Sequence, residues 1–284
     1  MMNNASLVLE GGGMRGVYTA GVLDFFLEKN ISFSSCYGVS AGVCTLSSFL
    51  AGQKKRAFNV MTNYLDDKRY MGIYSLLTTG DLFNAATSYT LVPEYLDPVD
   101  YETFSNYKGK AFAVMTNMIT GEAEYYQLKD LRKDLIAVRA SSSLPLVSRP
   151  VYINHIPYLD GGISDGIPIT RSIEDGNQKN VVIMTKDKDY IRKPTGMLGL
   201  YKCRYALYPN ITRQMETRHT RYNMTLEDLK NYQDSGQAFI IRPSKKLKIS
   251  RTEKNADKLK ELYQLGWQDA EDCYIDLMKY LKEA

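Results

Sequence analysis

The chain has 284 residues, 44% of them hydrophobic and 24% charged, with a formal net charge of +4, an ordinary globular composition long enough to bury one large core. Cys36, Cys44, Cys203 and Cys273 show no C-x-x-C spacing and no companion histidine cluster, which speaks against a zinc site or a disulfide framework and for a reducing compartment. The N-terminus lacks the basic and apolar stretches of a signal peptide, and no apolar run approaches the ~20 residues of a membrane span, so a cytoplasmic protein is expected, with peripheral membrane contact left open.

Charge is uneven along the chain. Residues 186 to 260 hold 18 of the 36 Lys and Arg against 8 Asp and Glu, making that sector basic while the remainder is acidic. Such a sector suits anionic lipid headgroups, or is a solvated surface whose charges pair in the fold; nucleic acid is not expected as a partner.

In chain order, Ser6 to Leu9 reads as a buried strand that leads into Glu10-Gly11-Gly12-Gly13-Met14-Arg15-Gly16. Val17 to Leu27 has helical spacing, with Asn30 as its stop, so a glycine-rich loop joins strand to helix and offers a nest of backbone N–H groups. Gly11, Gly13 and Gly16 fit G-x-G-x-x-G, but the second strand ends at Gly38-Val39-Ser40 instead of the acidic residue a dinucleotide site needs. A Walker A loop lacks its Gly-Lys-Ser/Thr. An oxyanion hole is the third reading, with the amides near Gly12 and Gly13 aimed at a tetrahedral intermediate. Arg15 either adds positive potential there or pairs in a salt bridge at the helix start.

Gly38-Val39-Ser40-Ala41-Gly42 fits G-x-S-x-G, the nucleophile elbow, between a short strand at 35–37 and a helix over 43–50. Glycines flank the serine so that strand and helix can close up around a strained turn, with the hydroxyl at the positive end of a helix dipole. A polar-faced helix is expected over 54–70, and an irregular region over 71–108 that could cover an active-site mouth. Its aromatics Tyr70, Tyr74, Phe83, Tyr89 and Tyr95 are expected in the core, with an acyl-chain groove as the alternative.

Lys110–Met118 and Glu122–Leu128 read as a hairpin around Gly121, followed by a helix over 131–140 that Ser141-Ser142-Ser143-Leu144-Pro145 breaks. Two short strands around Asn154-His155 feed Asp160-Gly161-Gly162, which taken alone is a plain turn. A helix starts after Pro168 and a buried strand spans 181–185. Beyond Pro194 the chain is helical and basic, with a late strand at 239–243 and a long amphipathic helix over 256–281 expected to pack on the sheet. A nucleophilic serine needs a base, and the chain holds two histidines, His155 and His219. His219 fits the Ser, Asp, His order of an α/β-hydrolase triad with Ser40 and Asp160.

Taken together, Gly11-Gly12-Gly13-Met14-Arg15-Gly16, Gly38-Val39-Ser40-Ala41-Gly42 and Asp160-Gly161-Gly162 resemble the motifs of the patatin-like phospholipases, in particular the bacterial acyl hydrolases. Thr120-Gly121-Glu122 and Ala140 to Pro145 also look right for that family, and the likeness covers about residues 5–185. The resemblance implies one α/β domain over 1–284: a catalytic core at about 5–185 in three α/β/α layers with a mostly parallel central sheet, and a basic helical part at about 186–284. It further implies a Ser40–Asp160 dyad without histidine, an oxyanion hole at Gly11 to Gly16, a lipid or phospholipid ester substrate, and neither metal nor organic cofactor. A non-catalytic nucleotide- or lipid-binding module on the same fold is the alternative from another class. Asp165 is a second carboxylate that could compete for the role of base.

Overall fold

The computed structural model describes residues 2–246 and 248–282. Strand β1 (Asn3–Leu9) and a single 3-10 turn (Gly13–Arg15) lead to α1 (Gly16–Glu28), β2 (Phe33–Val39), α2 (Ala41–Leu50) and α3 (Arg56–Thr62). Helix α4 (Ile73–Thr79), a π-helical segment (Thr87–Leu96) and α5 (Tyr101–Ser105) precede β3 (Lys110–Asn117), β4 (Ala123–Leu128) and α6 (Leu131–Ser141). Then come β5 (Val151–Ile153), β6 (Ile156–Asp160), α7 (Ile169–Glu174) and β7 (Asn180–Ile183). The C-terminal part contributes α8 (Leu198–Arg204), α9 (Pro209–Asp234), β8 (Ala238–Ile241), α10 (Ala256–Asp272) and α11 (Tyr274–Lys282).

Among the described residues the eight strands form one mixed sheet whose centre is parallel: β1 pairs with β2 and β7, β2 with β3, and β7 with β8, all in parallel. Antiparallel pairing is confined to β4, β5 and β6. The layering follows from strand periodicity, because successive side chains point to opposite faces. Leu7, Leu9, Val181 and Ile183 enter a core shared with α1, α2, α6, α10 and α11, whereas Val8 and Val182 between them enter a second core against α7 and α9. The architecture is therefore an α/β/α sandwich with a mostly parallel sheet.

The register of β3 positions the site. Val114 pairs with Val39 of β2 on one edge and with Tyr125 of β4 on the other. Met115 pairs with Asp160 of β6 and with Glu124 of β4. Since β4 occupies one edge throughout, β2 and β6 must share the opposite edge, meeting end to end at consecutive residues of β3. The C-terminal ends of β2 and β6 are thus brought together with no strand between them.

Three helical segments differ from the sequence-based expectation. The helix expected over 54–70 stops at Thr62, and beyond it the Asp67 carboxylate accepts hydrogen bonds from the Arg69 amide at 2.8 Å and from its guanidinium, a local turn that competes with helix. The region 71–108 is not irregular: α4 ends at Gly80, which has φ of 77°, and Asp100 caps α5 by accepting from the Thr103 amide at 2.9 Å. The long C-terminal helix is broken at Cys273 into α10 and α11, and the break turns Tyr280 onto the sheet, where its hydroxyl accepts from the Asn180 amide at 2.8 Å.

Helix α10 crosses α1 at backbone contact. A Cβ on Gly21 would lie 2.2 Å from the Tyr263 carbonyl oxygen, and one on Gly266 would lie 2.2 Å from that of Tyr18. Tyr18 donates to Asp269 at 2.8 Å and Tyr263 to Asp24 at 2.7 Å across the same crossing. Gly266→Val should therefore force the helices apart and lower unfolding stability by about 3 kcal/mol, read by urea denaturation.

Candidate active site

Ser40 follows β2 directly and starts α2 with φ of 54° and ψ of −124°, a left-handed conformation that a non-glycine residue holds only when its surroundings enforce it. Strand, positive-φ serine and helix in that order make a nucleophile elbow. The close approach explains the flanking glycines: a Cβ on Gly38 would fall 2.6 Å from Val43 Cα, and one on Gly42 would fall 2.7 Å from the Leu9 carbonyl. The Ser40 amide donates to Ser141 Oγ at 2.9 Å, so the serine-rich break after α6 pins the elbow from outside the motif.

Asp160 ends β6 and is buried, with 3% of its surface exposed. Its Oδ1 accepts from the Gly162 amide at 2.7 Å and its own amide donates to the Ser143 carbonyl at 2.8 Å, while Oδ2 carries no hydrogen bond. Burial raises the carboxyl above the ordinary value of 3.8, opposed by the neighbouring Ser40 hydroxyl, by Arg218 and Arg251, and by the Gly162 amide. Ser40 adjoins the carboxylate without completing a hydrogen bond to Oδ2.

The glycine-rich loop divides in two. The Met14 amide donates to the Arg251 carbonyl at 3.0 Å, the Arg15 amide to Gly12 at 3.4 Å, and the Gly16 amide to Gly13 and Met14. Among the described residues the amides of Gly11, Gly12 and Gly13 are not engaged in this way, nor is that of Ala41 at the start of α2. Gly11 closely approaches Ser40, since a Cβ there would lie 3.1 Å from Ser40 Cβ. Arg15 makes no ion pair among the described residues; its guanidinium donates to the Ile249 carbonyl at 3.4 Å, so of the two readings of Arg15 the helix-start salt bridge does not form.

Ser40 stands at the junction of two unlike spaces. On one side lies an apolar cavity of about 130 Å³, walled by Met14, Val60, Met61, Val92, Val138 and Leu144. Tyr70 lies in the main core with Phe83 and Tyr89 packed against it, as expected, and all three also line this cavity, whereas Tyr74 and Tyr95 are 56% and 74% exposed and belong to neither core nor groove. On the other side Ser40 and Asp160 face a small polar pocket with Gly11 to Gly13, Gly162, Arg192, Arg218 and Arg251.

The remaining candidates lie elsewhere. His219 opens on an outer chamber, with Nε2 3.4 Å from Thr220 Oγ1 and Nδ1 unpartnered, and it bonds to neither Ser40 nor Asp160. His155 is exposed in the β5–β6 turn at φ of 66°. Asp165 accepts from the Tyr125 hydroxyl at 2.7 Å and the Ile167 amide at 3.1 Å, a structural engagement. Among the described residues no group of three or more His, Cys, Asp or Glu is placed to hold a metal.

A strained serine elbow beside a buried carboxylate on an α/β/α scaffold is a serine-hydrolase type of arrangement. Comparison with known families supplies the particular one: the patatin-like phospholipase model matches residues 7–172, more than half of the chain, and the chain belongs to that family. A second model, a domain of unknown function (DUF6363), matches residues 208–282. The chain is similar to the uncharacterized protein YjjU of Escherichia coli K12, with 28% identity over 92% of this chain and 74% of that one. It is also similar to the probable lipid hydrolase 463L of Invertebrate iridescent virus 6, with 27% identity over 69% of this chain and 71% of that one. Lysophospholipase NTE1 of Saccharomyces cerevisiae shares 30% identity over 58% of this chain, which corresponds to 10% of that much longer protein.

Buried Glu10, at the head of the glycine-rich loop, ties the site to the C-terminal part. Its carboxylate accepts from the Tyr222 hydroxyl of α9 at 2.6 Å and from the Thr185 amide and hydroxyl at 2.6 and 2.9 Å. Tyr222→Phe removes a hydrogen bond to a buried charge and should lower stability by about 2 kcal/mol in equilibrium denaturation.

Proposed function

We propose that this protein is a serine acyl hydrolase that cleaves lipid carboxylic esters of the phospholipase A or lysophospholipase kind, through an acyl-enzyme on Ser40 with Asp160 as general base. The observation that carries the proposal is the position of Ser40 between an apolar cavity suited to an acyl chain and a polar pocket where a buried carboxylate leaves one oxygen unpartnered. The names of the viral and yeast relatives, a probable lipid hydrolase and a lysophospholipase, point to the same chemistry.

In this reading Asp160 accepts the Ser40 proton as Oγ attacks the ester carbonyl, and the free amides of Gly11, Gly12, Gly13 and Ala41 receive the developing oxyanion. The tetrahedral intermediate collapses by breaking the carbon–oxygen bond to the alcohol, which leaves with the proton returned by Asp160. Water then gives a proton to Asp160 and attacks the acyl-serine, and the carboxylic acid departs as Oγ regains its proton. The cavity walls exclude water from the chain-binding side. Residues 1–284 act as one domain, with the C-terminal part closing the site, since the Arg251 carbonyl holds the Met14 amide and α10 packs on α1. Four free cysteines suit a cytoplasmic setting, and the basic C-terminal part suits a peripheral approach to a lipid surface.

A fluorophosphonate probe should label the wild type at Ser40 and fail on Ser40→Ala; an unlabelled wild type would mean a binding module. On a short p-nitrophenyl ester, Ser40→Ala and Asp160→Asn should each lower kcat by about 10³-fold or more, whereas His219→Ala should cost less than about tenfold. A loss of several orders of magnitude in the histidine variant would instead support the triad.

The pH dependence has a definite sign. The base works only as carboxylate, so kcat/KM rises with pH through the Asp160 ionisation, and burial places that limb above 3.8. Arg218 favours the ionised form, so Arg218→Gln should move the limb to higher pH; a limb unmoved or moved lower would contradict the assignment of the base.

A further inference from the structure

The cations of the polar pocket beside Ser40 all come from outside the stretch that matches the patatin-like family: Arg192 follows β7, Arg218 lies in α9 and Arg251 precedes α10. Each is held in place by something other than a carboxylate. Arg218 Nε donates to the Gly162 carbonyl, so this guanidinium is docked on the Asp160 loop. Arg192 stacks on the Tyr222 ring at 3.9 Å, and its Nε is buried without a partner. Arg251 is anchored through its main chain, whose carbonyl accepts from Met14.

Among the described residues none of the three forms an ion pair, and Asp160 is the one carboxylate lining the pocket with them. Their mutual repulsion is felt: burial, with Arg192 and Arg251 adding to it, pushes Arg218 down to about 9. Lys186 is pushed down to about 8 by burial and by Arg15, Arg251 and Arg192. Gathering two further cations around the desolvated Arg218 guanidinium is costly unless an anion offsets their repulsion. One carboxylate would satisfy a single arginine fork, while a tetrahedral phosphate offers oxygens to several at once. The pocket also shares Ser40, Gly13 and Leu144 with the apolar cavity, so one molecule can reach both. Beyond it an outer chamber of about 710 Å³, bordered by Lys193 and Lys246 and also by Asp187 and Asp189, leaves room for the rest of a headgroup.

We propose that Arg192, Arg218 and Arg251 form a phosphate subsite that selects acyl esters whose alcohol side carries a phosphate. This rests on the acyl-hydrolase reading of Ser40 for the placement of the ester, but the binding itself does not require turnover. A glycerophospholipid carries ester and phosphate on one short backbone, which matches an acyl cavity and a cationic pocket meeting at the nucleophile.

The test is calorimetric titration of Ser40→Ala protein with a lysophosphatidic acid, with the monoacylglycerol of the same chain, and with inorganic phosphate, both lipids kept monomeric. The phosphorylated lipid should bind at least about tenfold more tightly than the neutral one, and inorganic phosphate more weakly than the phosphorylated lipid. Adding Arg192→Gln and Arg251→Gln should shrink the gap between the lipids to about threefold or less. Should the combined variant fail to fold, Arg251→Gln alone, at an exposed residue, must still narrow the gap. Equal affinity for the two lipids, or a gap the arginine substitutions leave intact, overturns the subsite. Inorganic phosphate binding as tightly as the lysolipid overturns the assignment to a headgroup. Wild-type protein that hydrolyses neither lipid while the affinity gap persists sinks the hydrolase reading and spares the subsite; turnover with equal affinities does the reverse.

Discussion

The site depends on two strands sharing one edge of a third. β2 and β6 abut along β3 at Val114 and Met115, and their C-terminal ends deliver Ser40 and Asp160 to the same place from positions 120 residues apart. A parallel strand and an antiparallel one cannot both continue along that edge, so each must end there. The backbone leaves the ladder at that point, which is where it is free to adopt the strained turn of Ser40 and the tight turn of Gly161 and Gly162.

Around that meeting point the fold fixes donors and withholds others. Ser141 holds the Ser40 amide and Ser143 holds that of Asp160, so one short serine-rich segment supports both turns. In the glycine-rich loop the Arg251 carbonyl takes the Met14 amide, leaving the earlier amides available. The polar groups around Ser40 are thus held in place by the fold itself, the kind of preorganisation that the proposed acyl-hydrolase chemistry would use.

The C-terminal part is no appendage to this arrangement. Its strand β8 extends the sheet beside β7, α10 meets α1 through Gly21 and Gly266, and α9 reaches Glu10 through Tyr222. Through the same elements it brings arginines to the pocket beside Ser40 and Asp160, so the residues matched by the patatin-like family model do not by themselves complete the walls of that pocket.

The linear order of residues determined the family, the α/β class, and the strand, elbow and helix around Ser40, because those features are local: glycines on both sides of a serine, between a strand and a helix, report the close approach that Gly38 and Gly42 make. The hairpin around Gly121 and the turn at Asp160 are local in the same sense. Segment lengths were less legible, as in α3, α4 and the break at Cys273, since there a side-chain turn or a contact with the sheet outweighs helical periodicity. What tertiary structure alone decided is which distant groups share the site. Of the five aromatics from 70 to 95 only Tyr70, Phe83 and Tyr89 reach the cavity, and of the many dispersed cations Arg192, Arg218 and Arg251 converge. No spacing in the chain encodes that selection: it arises from strand register and helix packing, which join residues far apart in sequence through contacts that only the folded chain makes.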